Sequence, residues 1–235
     1  MSRFANKFFL LFLFYFTGAA AHEQLLLVVA DDMNTSTALL QRYAMHAGQW
    51  ARIGTAFPVN LGRNGLGWGI GMTALPRDPG DPVKQEGDGR APAGIFALGP
   101  VFGYGSGVHT AMPYLRATDD LICIDDSRSP AYNRVVRITP KLRFGSFEWM
   151  HRDDDLYALG IVVQHNTASV PGMGSCIFMH FERAPGAGTA GCTSMARSAL
   201  QSVVRWLDPD KAPLLVQVPR KSLPDVARRF KGIPE

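Results

Sequence analysis

Leu25-Leu26-Leu27-Val28-Val29-Ala30 is an unbroken apolar run that stops at Asp31-Asp32. So short a run, rich in Leu and Val and closed by turn formers, predicts a strand buried on both faces. Residues 35–54 fit two patterns. Leu39, Leu40, Tyr43 and Ala47 match a helical stripe, while two strands around a turn at His46-Ala47-Gly48 match equally, and the hairpin is preferred. Further strands are expected at residues 121–124, 134–138, 157–164, 176–181 and 214–218, each bounded by Pro, Gly or Asp. One helix is expected, opening at Thr193 or Ser194 as N-cap. Its apolar stripe is Ala199, Leu200, Val203, Val204 and Leu207, and Asp208-Pro209 ends it. Residues 62–107 are dense in glycine and are expected to form tight turns, where glycine supplies positive φ. The pattern predicts one mainly β domain over residues 22–235.

The first 21 residues differ in kind. Arg3 and Lys7 precede the apolar stretch from Phe8 to Phe16, and Gly18-Ala19-Ala20-Ala21 follows. A basic start, a short apolar core and small residues predict a signal peptide cut before His22, and hence a periplasmic or secreted protein with no membrane span after cleavage. The apolar core is too short for a spanning helix, which needs about 20 residues. Cleavage removes two of the 24 basic residues and none of the 20 acidic ones, leaving +2. Basic residues cluster only at Arg228, Arg229 and Lys231, so no nucleic-acid footprint is expected.

Candidate chemistry centres on cysteine. An exported chain with three cysteines, Cys123, Cys176 and Cys192, forms at most one bridge and leaves a thiol over. Cys123 and Cys176 lie in apolar strands and are expected as small core residues, a bridge between them remaining open because sequence does not supply the Cα approach. Cys192 follows the turn Gly188-Thr189-Ala190-Gly191. On the helix assignment above it sits at a helix N-terminus, where unpaired amides favour a thiolate. His180 ends a strand twelve positions earlier, and the Pro- and Gly-rich segment between them can fold back to bring the two together. Packing remains the alternative for both residues. No GxxxxGK[ST], CxxC, HExxH or HxH spacing is present, so neither a phosphate loop nor a metal site is expected, and no cofactor is called for.

The segment HFERAPGAGTAGCTSM resembles the H-x(n)-[ST]-x-G-C signature of the L,D-transpeptidase (YkuD-type) catalytic domain. The blocks RNGLGWGIG, KQEGDGRAPAGIF, IDDSRSPAYNRVV, YALGIVVQHN and GSCIFMH are similar to other elements of that family, in order, over residues 62–219. The resemblance implies a β-sandwich or barrel with one helix after the catalytic cysteine. It implies Cys192 as the acylated nucleophile, His180 as base, the Phe181 carbonyl as the group orienting the imidazole, and amides of Gly191 and Cys192 as an oxyanion pocket. The implied partner is a peptidoglycan stem peptide, attacked to give a thioester with release of D-alanine and resolved by an amine or by water; a monomer is expected. Thr189, Tyr132, Asn133 and Arg183 are candidate substrate contacts, with Asp125 and Asn166 as either cleft residues or turn formers. The chain departs from the family pattern at Ala190, where a second histidine is common, at Met195, where Asn or Arg is common, and at Ala91, where Thr is usual.

Overall fold

The computed structural model describes residues 21–234. The leader expected over residues 1–21 lies outside them save for Ala21. No helix among the described residues is long and apolar enough to cross a membrane.

The strands are β1 (Gln24–Ala30), β2 (Thr37–His46), β3 (Gln49–Asn60), β4 (Leu66–Trp68), β5 (Ala91–Gly103), β6 (Tyr114–Arg116), β7 (Leu121–Cys123), β8 (Val135–Arg137), β9 (Glu148–Trp149), β10 (Leu159–Val163), β11 (Phe178–Phe181), β12 (Thr193–Met195) and β13 (Leu214–Pro219). Two helices follow β12: α1 (Arg197–Trp206) and α2 (Leu223–Arg229). Pairing runs β10-β11-β12-β3-β2-β1-β13-β5, and β5 pairs back onto β10, so eight strands close into a barrel. Closure removes the exposed edges an open sheet would leave. The fold is therefore mainly β, as the hydrophobic pattern predicts. β7, β8 and β9 form a separate small sheet.

The buried run of β1 lies between β2 and β13, which explains its lack of alternation. Residues 35–54 form the hairpin rather than the helix, turning at Ala47 and Gly48, both with positive φ. The glycine-dense segment is the main surprise. Instead of turns alone it contains β4 and the longest strand, β5. The glycines of β5 are close-approach positions. A Cβ on Gly99 would lie 2.5 Å from Gln164 Nε2, and one on Gly103 would lie 2.6 Å from the Ala158 carbonyl.

The helix starts later than its sequence predicts. Thr193 and Ser194 belong to β12, paired in parallel with β11, and α1 begins at Arg197 after Ala196. Tertiary pairing and the Thr193 hydroxyl bond to Gln217 Oε1, at 2.7 Å, outweigh the capping preference. Leu200, Val203 and Val204 carry the stripe into the barrel core as expected. The basic cluster at Arg228 and Arg229 closes α2, where Arg228 pairs with Asp225.

The two faces of β11 feed two cores. Met179 and Phe181, with Met195 of β12, join the main core. Phe178 and Cys192 join a second cluster with Phe102, Tyr157 and Leu121, between the barrel and the small sheet.

Candidate active site

The parallel pairing of β11 with β12 sets Met179 opposite Thr193 and His180 opposite Ser194. Cys192 lies in the bend immediately before β12, and its Sγ accepts from the amide of Phe178, two residues before His180 on β11. Met195, paired with Phe181, is fully buried in the main core and does not reach the cleft. The segment from Glu182 to Gly191 provides the return connection, and Gly160 of β10 lies directly opposite His180 on the other side.

Cys192 and His180 line an open cleft of about 1000 Å³. Both are nearly covered, at 8% and 7% exposure. His180 Nδ1 lies 2.7 Å from the Phe181 carbonyl oxygen. Because that oxygen only accepts, Nδ1 carries the hydrogen and Nε2 the lone pair. Nε2 has no partner among the described residues. Burial pushes the imidazole pKa down to about 4, only partly offset by the Phe181 bond, so the ring is neutral at pH 7.

The sulfur is held on the main chain. The Phe178 amide donates to Sγ at 3.3 Å, and the thiol faces the Cys176 carbonyl at 3.6 Å. Among the described residues no hydrogen bond joins Sγ to His180. The expectation of a helix-stabilised thiolate fails, because β12 separates Cys192 from α1. Burial first, and the neighbouring Glu148 second, push the thiol up to about 12; the Phe178 amide, the Tyr157 hydroxyl and Lys84 oppose them. Cys192 is thus a thiol at neutral pH and must lose its proton as it attacks.

The expected oxyanion pocket is half available. The Gly191 amide donates to Thr189 Oγ1 at 3.1 Å, and that hydroxyl donates to the Cys192 carbonyl at 2.6 Å. Thr189 also exchanges main-chain bonds with Leu61 and Arg63. Its polar groups therefore shape the turn and are not free for substrate, and of the two predicted amides only that of Cys192 remains unpaired among the described residues.

Other predicted contacts divide. Tyr132 and Asn133 do not line the cleft, which corrects their assignment as substrate-binding residues. Tyr132 is buried with its hydroxyl on Glu86. Asn133 donates to the carbonyls of His165 and Asn166 and accepts from the Cys176 amide at 3.0 Å, bracing the strand approach. Asn166 is a turn former, bonded to Val170 and Gly174. Arg183 stands at the mouth, its side chain 72% exposed and 3.9 Å from Asp154. Asp125 lines the cleft, with one oxygen buried and unpaired among the described residues. Ala190 lies exposed on the cleft wall.

Three lining residues escaped sequence reasoning. Glu148, from β9, accepts from the Tyr157 hydroxyl at 2.6 Å, and burial raises its carboxyl. Tyr157 packs edge-on to His180, with centroids 5.1 Å apart. Lys84 belongs to KQEGDG, a segment whose glycines read as a turn. The charged run His151 to Asp155 is a turn, with Arg152 forked onto Asp154 at 2.9 Å. No group of three or more His, Cys, Asp or Glu among the described residues is arranged to hold a metal.

Cys123 and Cys176 are bridged, with Cα atoms 5.9 Å apart, which settles the alternative against two free core thiols. Cys176 precedes β11 and has φ of 55°, so it does not share that strand's alternation. Cys192 is the free cysteine.

Fold and site together define a closed β-barrel protein with a buried thiol and a neutral imidazole on the floor of an open cleft. No model of a known protein family matches the chain, and no curated protein matches it. Among solved structures it is similar to the helical cell shape determining protein Pgp2 from Campylobacter jejuni, at 15% identity and a TM-score of 0.39. The match covers 84% of this chain and 48% of that one, so the chain spans about half the length of this neighbour.

Proposed function

We propose that the protein is an exported cysteine acyltransferase that acts on peptidoglycan stem peptides through a thioester on Cys192. The observation that carries the reading is that Cys192 shares one cleft with a histidine whose Nδ1 is tied to the next carbonyl, its sulfur bonded to the amide two residues before that histidine. This is the arrangement that the resemblance of the HFERAPGAGTAGCTSM segment implies. An expected leader over residues 1–21 supports delivery to the periplasm or outside.

In this mechanism Sγ turns from the Cys176 carbonyl toward the cleft and passes its proton to His180 Nε2 as it attacks the stem carbonyl. The C–N bond then breaks, the imidazolium returns the proton to the departing D-alanine nitrogen, and the acyl group stays on sulfur. An amine of a neighbouring stem, or water, attacks the thioester with His180 again as base. Since both groups are neutral at rest, proton transfer accompanies attack rather than preceding it.

Incubation with an isolated tetrapeptide-stem muropeptide tests the reading. A cross-linked dimer supports the transferase, a trimmed monomer assigns the same thioester to a hydrolase, and wall binding without either product assigns a non-catalytic binding protein.

A further inference from the structure

Lys84 is a buried cation that the proposed reaction does not yet use. Its side chain is 3% exposed, yet it lines the cleft. Of its three N–H donors one goes to Asp88 Oδ1 at 2.6 Å and one to the Gln85 carbonyl at 2.7 Å. The third has no partner among the described residues. Asp88 also accepts from the amides of Gln85 and Arg90, which fixes the carboxylate and through it the ammonium. A Cβ built on Gly191 would lie 3.8 Å from Nζ, so the ammonium sits under the turn that carries the nucleophile. That turn has spent its Gly191 amide on Thr189.

We propose that Lys84 supplies the donor that Gly191 withholds, its free N–H and the Cys192 amide together forming the oxyanion pocket for acyl transfer to Cys192. The inference rests on Cys192 being the acylated nucleophile but not on which acyl group it takes. As Sγ bonds to the carbonyl carbon and its proton moves to His180, the carbonyl π pair shifts to oxygen. That oxygen becomes an alkoxide facing Nζ. When the tetrahedral carbon collapses, the pair returns and the leaving group departs. An ammonium already desolvated and fixed by Asp88 stabilises this charge without reorganising. The absence of a side chain at Gly191 keeps the path from Nζ to the turn open.

Two reagents separate this role from a structural one. p-Nitrophenyl acetate acetylates a thiol through an oxyanion and releases nitrophenolate, whereas iodoacetamide alkylates by displacement of iodide with no oxyanion. Rates at Cys192 would be measured by mass spectrometry for the wild-type protein, Lys84→Met and Lys84→Arg, with Cys192→Ala as blank. The expected result is a fall in acetylation at least ~10-fold larger than any fall in alkylation for Lys84→Met, with partial recovery in Lys84→Arg. If Lys84→Met does not fold, the double variant K84M/D88N, which also removes the leftover carboxylate charge, takes its place. Equal falls in the two rates, no change in either, or a wild-type Cys192 inert to both reagents would overturn the assignment. A wild-type protein that is acetylated normally but gives no product from the muropeptide leaves Lys84 in place and removes the stem-peptide reading instead.

Discussion

The Nδ1–H of His180 donates to the carbonyl oxygen of Phe181, the next residue along the same strand, at 2.7 Å. A strand residue bonding its neighbour's carbonyl cannot rotate freely, so one tautomer and one ring orientation are fixed together. The nitrogen left for chemistry is Nε2, and the ring carrying it is held neutral down to a pKa of about 4.

The acid limb of Cys192 acetylation should therefore lie near pH 4 rather than near 6.5, with a flat rate from about pH 5 upward through neutrality. Acetylation by p-nitrophenyl acetate followed from pH 3.5 to 8 checks this, and a midpoint near 6.5 would contradict the buried, neutral base. His180→Gln should lower the plateau rate, between about pH 5 and 8, by at least ~100-fold and remove the acid limb near pH 4.

How far such a site can be read from sequence varies from residue to residue. β1 and β13 are legible because they are short apolar runs closed by turn formers, and that Cys192 and His180 share one cleft is legible because a Pro- and Gly-rich return joins them. β5 is not, since Pro92, Gly94, Gly99, Pro100 and Gly103 look like punctuation until the close approaches of neighbouring backbone and side chains are visible. The start of α1 at Arg197 is not legible, because Thr193 and Ser194 are good caps in isolation and only the β11–β12 ladder assigns them to a strand. That later start removes the expected dipole on Cys192 and leaves burial to set its acidity. Glu148 and Tyr157 carry no motif; their position against the sulfur is a product of tertiary packing.

The bridge between Cys123 and Cys176 ties the small β7–β8–β9 sheet to the approach of the strand bearing His180, across a separation of 53 residues. Closing a loop of that length removes unfolded-state entropy worth roughly 4 kcal/mol. The double variant Cys123→Ser/Cys176→Ser should lower unfolding free energy by roughly 2–4 kcal/mol in urea titration. A variant as stable as the parent would show that the bridge is energetically idle.

Acid should destabilise the fold before the carboxylates titrate fully. His165 and His180 are both buried, and burial lowers each imidazole from 6.5 to about 4. Between those values the unfolded chain binds protons that the folded one refuses. Their contribution is thus complete above pH 6.5 and lost as pH falls toward 4, at roughly 3 kcal/mol for each group. Urea midpoints at pH 7 and 4.5 should differ accordingly, and His165→Gln should remove about half of the histidine share of the difference. Equal midpoints at the two pH values would mean that the histidines are protonated in the folded state as easily as in the unfolded one.

The most direct test of the central claim is the intact mass of the protein, trapped by acid during reaction with a tetrapeptide-stem muropeptide, followed by peptide mapping. A transient mass increase equal to the stem donor minus D-alanine, located on Cys192 and missing in Cys192→Ala, is the predicted result. An unmodified Cys192 throughout, in a protein whose thiol reacts with p-nitrophenyl acetate, would contradict it.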